Sequence, residues 1–458
     1  MDKTIRLLCD AHELKHIESI GKELMPVADA LQPIYHLLDR ASMEWHEAYT
    51  SLSRRQASSL KGVGTKGLRP SQLGSKSVTS TKHISSIERG PHYASVPAPI
   101  RTWIEKYPKP ECITIEFVLI TSGRAVHVHI HSLDSAHDLD EVARLIWIWL
   151  QTLDAILAKS DGRTAGCSRD LHIYLYLTPF LKQWPKTNQP KALASTEPKA
   201  NQPKASTEPK AEPKAESIEE IHVNSGFAFP CSESASGSNS IYVFREEEWF
   251  KVLIHETIHA FGVDFSAMSS NDMAIDKAIR ALDTAFPGVA AAHHRDKNCI
   301  CLFEAYTECW AEWIAILFRV HEYGKHSIRD IRIRNHKHTW KSDFVRHLEL
   351  ERRWSMLQAS RMQTWFASNP DRMYRNRTPV FAYYVLKSVL MCHSVAFMAW
   401  CNKSNGKNIV FDMDRVESFG QFLRDHAHAV DASSMQLASS MNIQSIAGSS
   451  LRMSLWGD

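Results

Sequence analysis

The 458-residue chain has no run of about 18 apolar residues free of charge, so nothing in it reads as a membrane-spanning helix. It also lacks a strong charge of either sign. The 54 Lys and Arg nearly cancel the 51 Asp and Glu, and the formal net charge of +3 is too small to argue for a nucleic-acid partner. The opening residues, Met1-Asp2-Lys3-Thr4-Ile5-Arg6 and then Cys9-Asp10-Ala11-His12-Glu13, have neither the apolar stretch nor the small-residue cleavage site of a signal peptide. Cysteine is sparse: nine residues, odd in number, scattered, and mostly inside apolar runs such as Tyr306-Thr307-Glu308-Cys309-Trp310. A disulfide framework would be paired and loop-rich, so the expectation is reduced thiols in an intracellular protein. Cys299 and Cys301 are too close for a CxxC metal pair and read as buried thiols. There is no P-loop, no GxSxG and no dinucleotide fingerprint.

What remains is an ordinary globular composition, 44% hydrophobic and 23% charged, long enough for two or three domains or one large domain with insertions. Residues 1–52 show helical spacing (Leu8, Leu14, Ile17, Ile20, Leu24, then Leu31, Ile34, Leu37, Leu38). Residues 53–95, rich in Ser, Lys, Gly and Thr, read as a low-complexity linker. From 96 to 181 an α/β part follows. Alternating Ile113, Ile115, Phe117, Leu119, a Ser122-Gly123 turn, and Val126, Val128, Ile130 predict a hairpin; 137–158 predicts an apolar helix, and 171–177 a buried strand. Residues 182–220 repeat Asn-Gln-Pro-Lys-Ala and Ser-Thr-Glu-Pro-Lys-Ala, a unit too short and polar to stack, and read as a disordered insertion. Residues 221–430 return to globular composition, with a strand at 240–245 and mainly helical period thereafter, and 431–458 form a Ser-, Met- and Ala-rich tail assigned no fold.

The chemistry concentrates after the 240–245 strand, in Glu246-Glu247-Glu248-Trp249-Phe250-Lys251-Val252-Leu253-Ile254-His255-Glu256-Thr257-Ile258-His259-Ala260-Phe261-Gly262. Three glutamates complement the positive end of a helix dipole, and Gly262 stands where a left-handed cap would end the helix. Two histidines four apart point the same way and can share one metal ion. Glu256, turned about 100° around the axis, points beside that ion, where a general base is needed. The helix is apolar nearly all round, so it is buried, and two imidazoles with a carboxylate are costly there unless something satisfies them. Zinc would do so. The plainer alternative is a pair of hydrogen-bonded core histidines.

The third ligand stays open on spacing alone. In HExxHxxGxxH the last position falls on Phe265, which cannot ligate; Asp264 is one residue off. Glu304 is the better candidate, with Glu308 on the same face of a second helix. In glutamate-type zinc peptidases the first acid of such a pair binds zinc and the second braces a ligating histidine from behind. The alternatives are a solvated acidic stripe through 304, 308 and 312, or ligation by His293 or His294. His127, His129 and His131 share one strand face and read as a polar sheet face rather than a metal site. Asn335-His336-Lys337-His338, after Arg329, Arg332 and Arg334, reads as an exposed basic segment.

The run from Ser240 to His259, with Glu304-Ala305-Tyr306-Thr307-Glu308 and Pro379-Val380-Phe381-Ala382-Tyr383-Tyr384-Val385-Leu386-Lys387, resembles a family of zincin-like proteins of nucleocytoplasmic large DNA viruses. The likeness is dense over about 221–320, thinner around 378–400 and faint over 112–178. It implies a glutamate-type zinc peptidase core with His255, His259 and Glu304 as ligands, in the host cytoplasm or the virion.

The expectations are therefore these. The fold is α+β and zincin-like, a mixed sheet over the HExxH helix with a mainly helical C-terminal part. The 240–245 strand forms an edge near the cleft, to which an extended peptide adds. The protein is a zinc metallopeptidase acting on a peptide or protein substrate, with no membrane partner. Glu256 is the base, and Tyr384 and His393, with Tyr383 beside them, are candidate donors to the oxyanion. The rival readings are an inactive zinc-binding scaffold or inhibitor, and a hydrolase of a non-peptide substrate.

Overall fold

The computed structural model describes residues 22–59, 78–84, 87–107, 111–132, 138–159, 170–185, 218–229, 239–268, 272–297, 299–329, 339–368, 374, 378–405, 409–428 and 450–455. The fold is α+β. Six strands form one mixed sheet: β1 (Val78–Ile84), β2 (Glu111–Val118), β3 (Ala125–Ser132), β4 (Leu171–Leu177), β5 (Gly226–Phe229) and β6 (Asn239–Val243). Their order is β1-β2-β3-β4-β6-β5; β3, β4 and β6 run parallel, and β1, β2 and β5 pair antiparallel. The helices are α1 (Met25–Ala30), α2 (Gln32–Ser59), α3 (Ala98–Lys106), α4 (Leu139–Leu157), α5 (Glu220–Val223), α6 (Trp249–Ala260), α7 (Met273–Leu282), α8 (Val289–Arg295), α9 (Leu302–Arg329) and α10 (Trp340–Ser368). A π-helical turn, Phe381–Leu386, then runs into α11 (Lys387–Cys392), α12 (Ser394–Ser404) and α13 (Val416–His426). No single helix among the described residues is long and apolar enough to cross a membrane.

The period-2 pattern builds the sheet's two faces. Val126, Val128 and Ile130 of β3, and Leu171, Ile173 and Leu175 of β4, turn to the main core with α4 and α6. Their neighbours turn the other way, where Tyr174, Tyr176, Tyr242 and Phe244 meet Tyr93, Ile100 and Ile104 under α3. The hairpin keeps the expected register, Ile115 opposite Val128, with Gly123 at φ +74° in its turn.

Several boundaries need correction. The 240–245 strand is not the edge: β6 lies between β4 and the short β5, and β5 ends the sheet. The 53–95 linker holds the end of α2, strand β1 and a buried Tyr93, because paired β2 offers a backbone edge that composition does not reveal. Residues 1–21 and the repeats at 186–217 lie outside the described residues, but the flanks of the insertion pack: Lys182 and Ile218 are fully buried. The tail is not free of the fold either. Leu451, Met453 and Leu455 are buried, and Ser450 bridges to Gln183.

The three strand histidines join an aromatic ladder. His127 stacks on His172, His129 on Tyr174 and His131 on Tyr176, with centroids 4.7, 4.8 and 5.0 Å apart. Parallel rings cannot aim lone pairs at one point, so this is no metal site. Burial pushes His131 down to about 3 and His129 to about 4, the latter helped by the neighbouring imidazoles. The unfolded chain therefore takes up more protons as pH falls from about 6.5 to about 4 for His129 and to about 3 for His131, and the ladder's stability is lost over that window. His131→Phe should keep the stack on Tyr176 and lose less melting temperature over the window than wild type, by a few degrees. An unchanged acid loss in thermal melts would show that His131 carries none of it.

Candidate metal centre

Helix α6 is set by a strained start and a tight stop. Its N-cap, Glu248, has φ +61°, a conformation that costs a non-glycine residue about 1 kcal/mol or more. The Glu248 carboxylate compensates from the fully buried interior, 2.7 Å from Lys182 Nζ and accepting from the Ser454 N–H. Glu248 thus serves an ion pair, not the helix dipole. Leu253, Ile254 and Ile258 are fully buried, and each contributes about 1.5–3 kcal/mol. At the C-terminus Val263 N–H donates to Ile258 O and Gly262 N–H to His259 O, with Gly262 at φ +63°: a Schellman turn. That turn swings the chain back so that Asp264 meets the ring it has just passed, 2.6 Å from His259 Nδ1.

Helix α9 runs antiparallel alongside. His255 Nε2 and His259 Nε2 are 2.9 Å apart, and Glu304 Oε2 lies 3.0 Å from the first and 3.2 Å from the second. These three residues form a buried group whose ligand atoms can hold one metal ion. The other ring nitrogen of each histidine faces a carboxylate. Asp264 takes His259, and is itself held by Ser266 Oγ at 2.6 Å and Thr307 Oγ1 at 2.7 Å. Glu308 Oε2 lies 2.9 Å from His255 Nδ1. That approach is close but off the line of the ring N–H, since Nδ1 completes no hydrogen bond. Carboxylates at both Nδ1 atoms favour the tautomer with Nε2 bare, so two nitrogen lone pairs and a carboxylate oxygen converge on one point. Only a cation or protons relieve that arrangement.

The electrostatics say the same. Burial alone would lower both imidazoles, but Glu304 and Glu308 raise His255, and Asp264 and Glu304 raise His259 well above its usual value. Burial opposes ionisation of Glu304 and Asp264, yet the imidazoles hold each at about 2. Glu256 goes the other way: burial raises it, against the pull of His255 and His259. Its carboxylate makes no hydrogen bond among the described residues and lines a cavity of about 20 Å³ with His255, Tyr383, Ser225, Gly226 and Met453. A Cβ on Gly226 would stand 2.8 Å from Val252 Cγ1 and 3.1 Å from Glu256 Cγ, so only glycine lets β5 lie this close to the base.

The acidic stripe is buried, not solvated. Glu308 pairs with Lys251, and Glu312 with Lys387, each at 2.5 Å and about 1% exposed. The spacing of Lys251 four residues before His255 was the available signal for this zipper; Lys387 sits in an apolar run and gave none.

The structure does not bring all the expected residues to the site. Tyr384 is turned away: its hydroxyl donates to Leu451 O at 2.6 Å, so it anchors the tail and cannot meet an oxyanion. His393 packs against His426, 4.7 Å between centroids, and is not part of the metal group. Tyr383 is the residue of the three that reaches the cavity, 6.1 Å from the His255 ring, with a hydroxyl that has no partner among the described residues. His293 sits on α8 beside Asp276, 3.3 Å away, and His294 is exposed; neither joins the metal group. Residues 335–338 lie outside the described residues. No family model, curated protein or solved structure matches the chain, so the reading of this centre rests on its own geometry.

Proposed function

We propose that the protein is a zinc-dependent hydrolase of the zincin type, acting on peptide bonds. The observation that carries this is the convergence of two Nε2 atoms and one carboxylate oxygen, each histidine with an acid at its other ring nitrogen. Ligands about 2.0–2.2 Å from one zinc at tetrahedral angles stand about 3.3–3.5 Å apart, and the separations of 2.9–3.2 Å fall slightly under that. The donor set His255, His259 and Glu304 suits zinc, and leaves a position open as catalytic sites do. Bound zinc supplies Lewis acidity, lowering the pKa of water and polarising a carbonyl.

The chain's own residues do the rest. Glu256, unpaired and raised by burial, takes a proton from the attacking water and returns it to the leaving amine. Tyr383 offers its free hydroxyl to the developing oxyanion, in place of Tyr384 and His393. The side of β5 left unpaired among the described residues accepts an extended substrate strand directly over Glu256. An inactive scaffold would have no use for an unpaired buried carboxylate in the cavity. A small non-peptide substrate is the second reading, favoured by the cavity of about 20 Å³, room for roughly one water.

The deciding measurement is metal content by native mass spectrometry. One zinc per chain is expected in wild type, and none in His255→Ala or His259→Ala. Wild-type protein refolded with zinc and holding no stoichiometric metal would end the proposal.

A further inference from the structure

We infer that Met453, carried into the site by the C-terminal segment, limits the group admitted beside Glu256 to small side chains such as those of Gly, Ala and Ser. The inference rests on the zinc-hydrolase reading and narrows its substrate class.

The segment is fixed by backbone hydrogen bonds to buried groups. Leu451 N–H donates to Lys182 O at 2.9 Å, and Leu451 O accepts from Tyr384. Arg452 O accepts from Gln358 Nε2 at 2.7 Å, and Met453 O from Lys387 Nζ at 2.8 Å. Ser454 N–H reaches Glu248 at 2.6 Å and Leu455 N–H reaches Glu351 at 3.0 Å. Main-chain atoms thus fix the path of the segment, while the buried side chains of Leu451, Met453 and Leu455 pack beneath it and the shape of residue 453 sets that part of the wall.

Met453 is 4% exposed and forms part of the cavity wall. The rest of that wall is committed. His255 and Glu308 belong to the metal centre, Lys182 and Lys251 to buried ion pairs, and Gly226 to the close approach of β5. Val223, Val252 and Met453 are the apolar members that can vary, and methionine is the most deformable of them. Ser225, another residue of the wall, has a buried hydroxyl with no partner among the described residues.

Amino-acid hydroxamates test this by binding, without turnover. With zinc-loaded protein in calorimetry, glycine, alanine and serine hydroxamates should bind at least about tenfold tighter than leucine and phenylalanine hydroxamates. Met453→Ala keeps the backbone bonds that dock the segment but empties a buried position, so the melting temperature should fall while the protein stays folded, and binding is read below the transition. In that variant the penalty on the large side chains should fall by about tenfold. The exposed Met273→Ala should leave the order as in wild type. Equal affinities across the series in wild type, or an unchanged order in Met453→Ala, would overturn the inference while leaving the zinc reading intact. Protein that binds neither zinc nor hydroxamate would overturn both.

Discussion

Glu256→Gln should leave zinc bound and lower hydrolysis by about two to four orders of magnitude, the range for losing a general base. That carboxylate lies outside the His255, His259 and Glu304 group, makes no hydrogen bond among the described residues, and lines the cavity. Gln keeps its size and removes the proton acceptor. Glu304→Ala should do the reverse. Its Oε2 is the atom both Nε2 nitrogens share, and burial tolerates its charge only because His255 and His259 are there. Its loss should weaken zinc by more than the roughly 10–100-fold typical of an outer hydrogen-bonding partner. Thermal stability should fall too, since metal affinity adds to folding. Zinc titrations and melts of the two variants side by side need no substrate. If Glu256→Gln releases the metal and Glu304→Ala retains it, the roles are reversed and the glutamate-zincin reading goes.

How legible this was depended on how local each feature is. The i, i+4 histidines, the glutamate between them and the Glu304/Glu308 pair could be read because helical period alone sets their faces. Asp264 was read only as a near miss for a ligand. Its true position depends on a Schellman turn, which Gly262 signalled, but whose direction relative to the His259 ring needs coordinates. Tyr383 and Tyr384 are adjacent, and the π-helical turn that holds them decides which faces the site; sequence has no such resolution. Strand β5 has four residues and no fully buried one, too short for an alternating pattern, so its neighbour β6 was mistaken for the edge. The tail escaped for a different reason. It binds through main-chain N–H and C=O groups, which every sequence possesses, and its Ser- and Met-rich composition carries no mark of that.

The buried zipper beside the candidate metal site should be sensitive to loss of either partner. Lys251→Met should destabilise the metal-free protein by about 3–5 kcal/mol, the cost of leaving one member of a buried ion pair uncompensated. Lys251 and Glu308 are 2% and 1% exposed, 2.5 Å apart, so solvent screens neither. Burial disfavours the Glu308 charge, and Lys251 is the largest influence holding it well below the usual carboxylate range. With the lysine gone, Glu308 must keep an unpaired buried charge or take up a proton, and the protonated form no longer stands as an anion beside His255. Zinc affinity should fall as well, by roughly 10–100-fold. Adding Glu308→Gln to Lys251→Met removes the stranded charge and should restore much of the stability, because a buried pair replaced as a unit costs far less than one partner lost. Zinc affinity should not recover with it, because His255 still lacks its carboxylate. The double-mutant cycle, read by denaturant unfolding with chelator and by zinc titration, therefore separates the two jobs of Glu308. If Lys251→Met matches wild type in both readouts, Lys387 or a bound proton already neutralises Glu308, and the pairing of α6 with α9 through Lys251 is not what holds His255 in place.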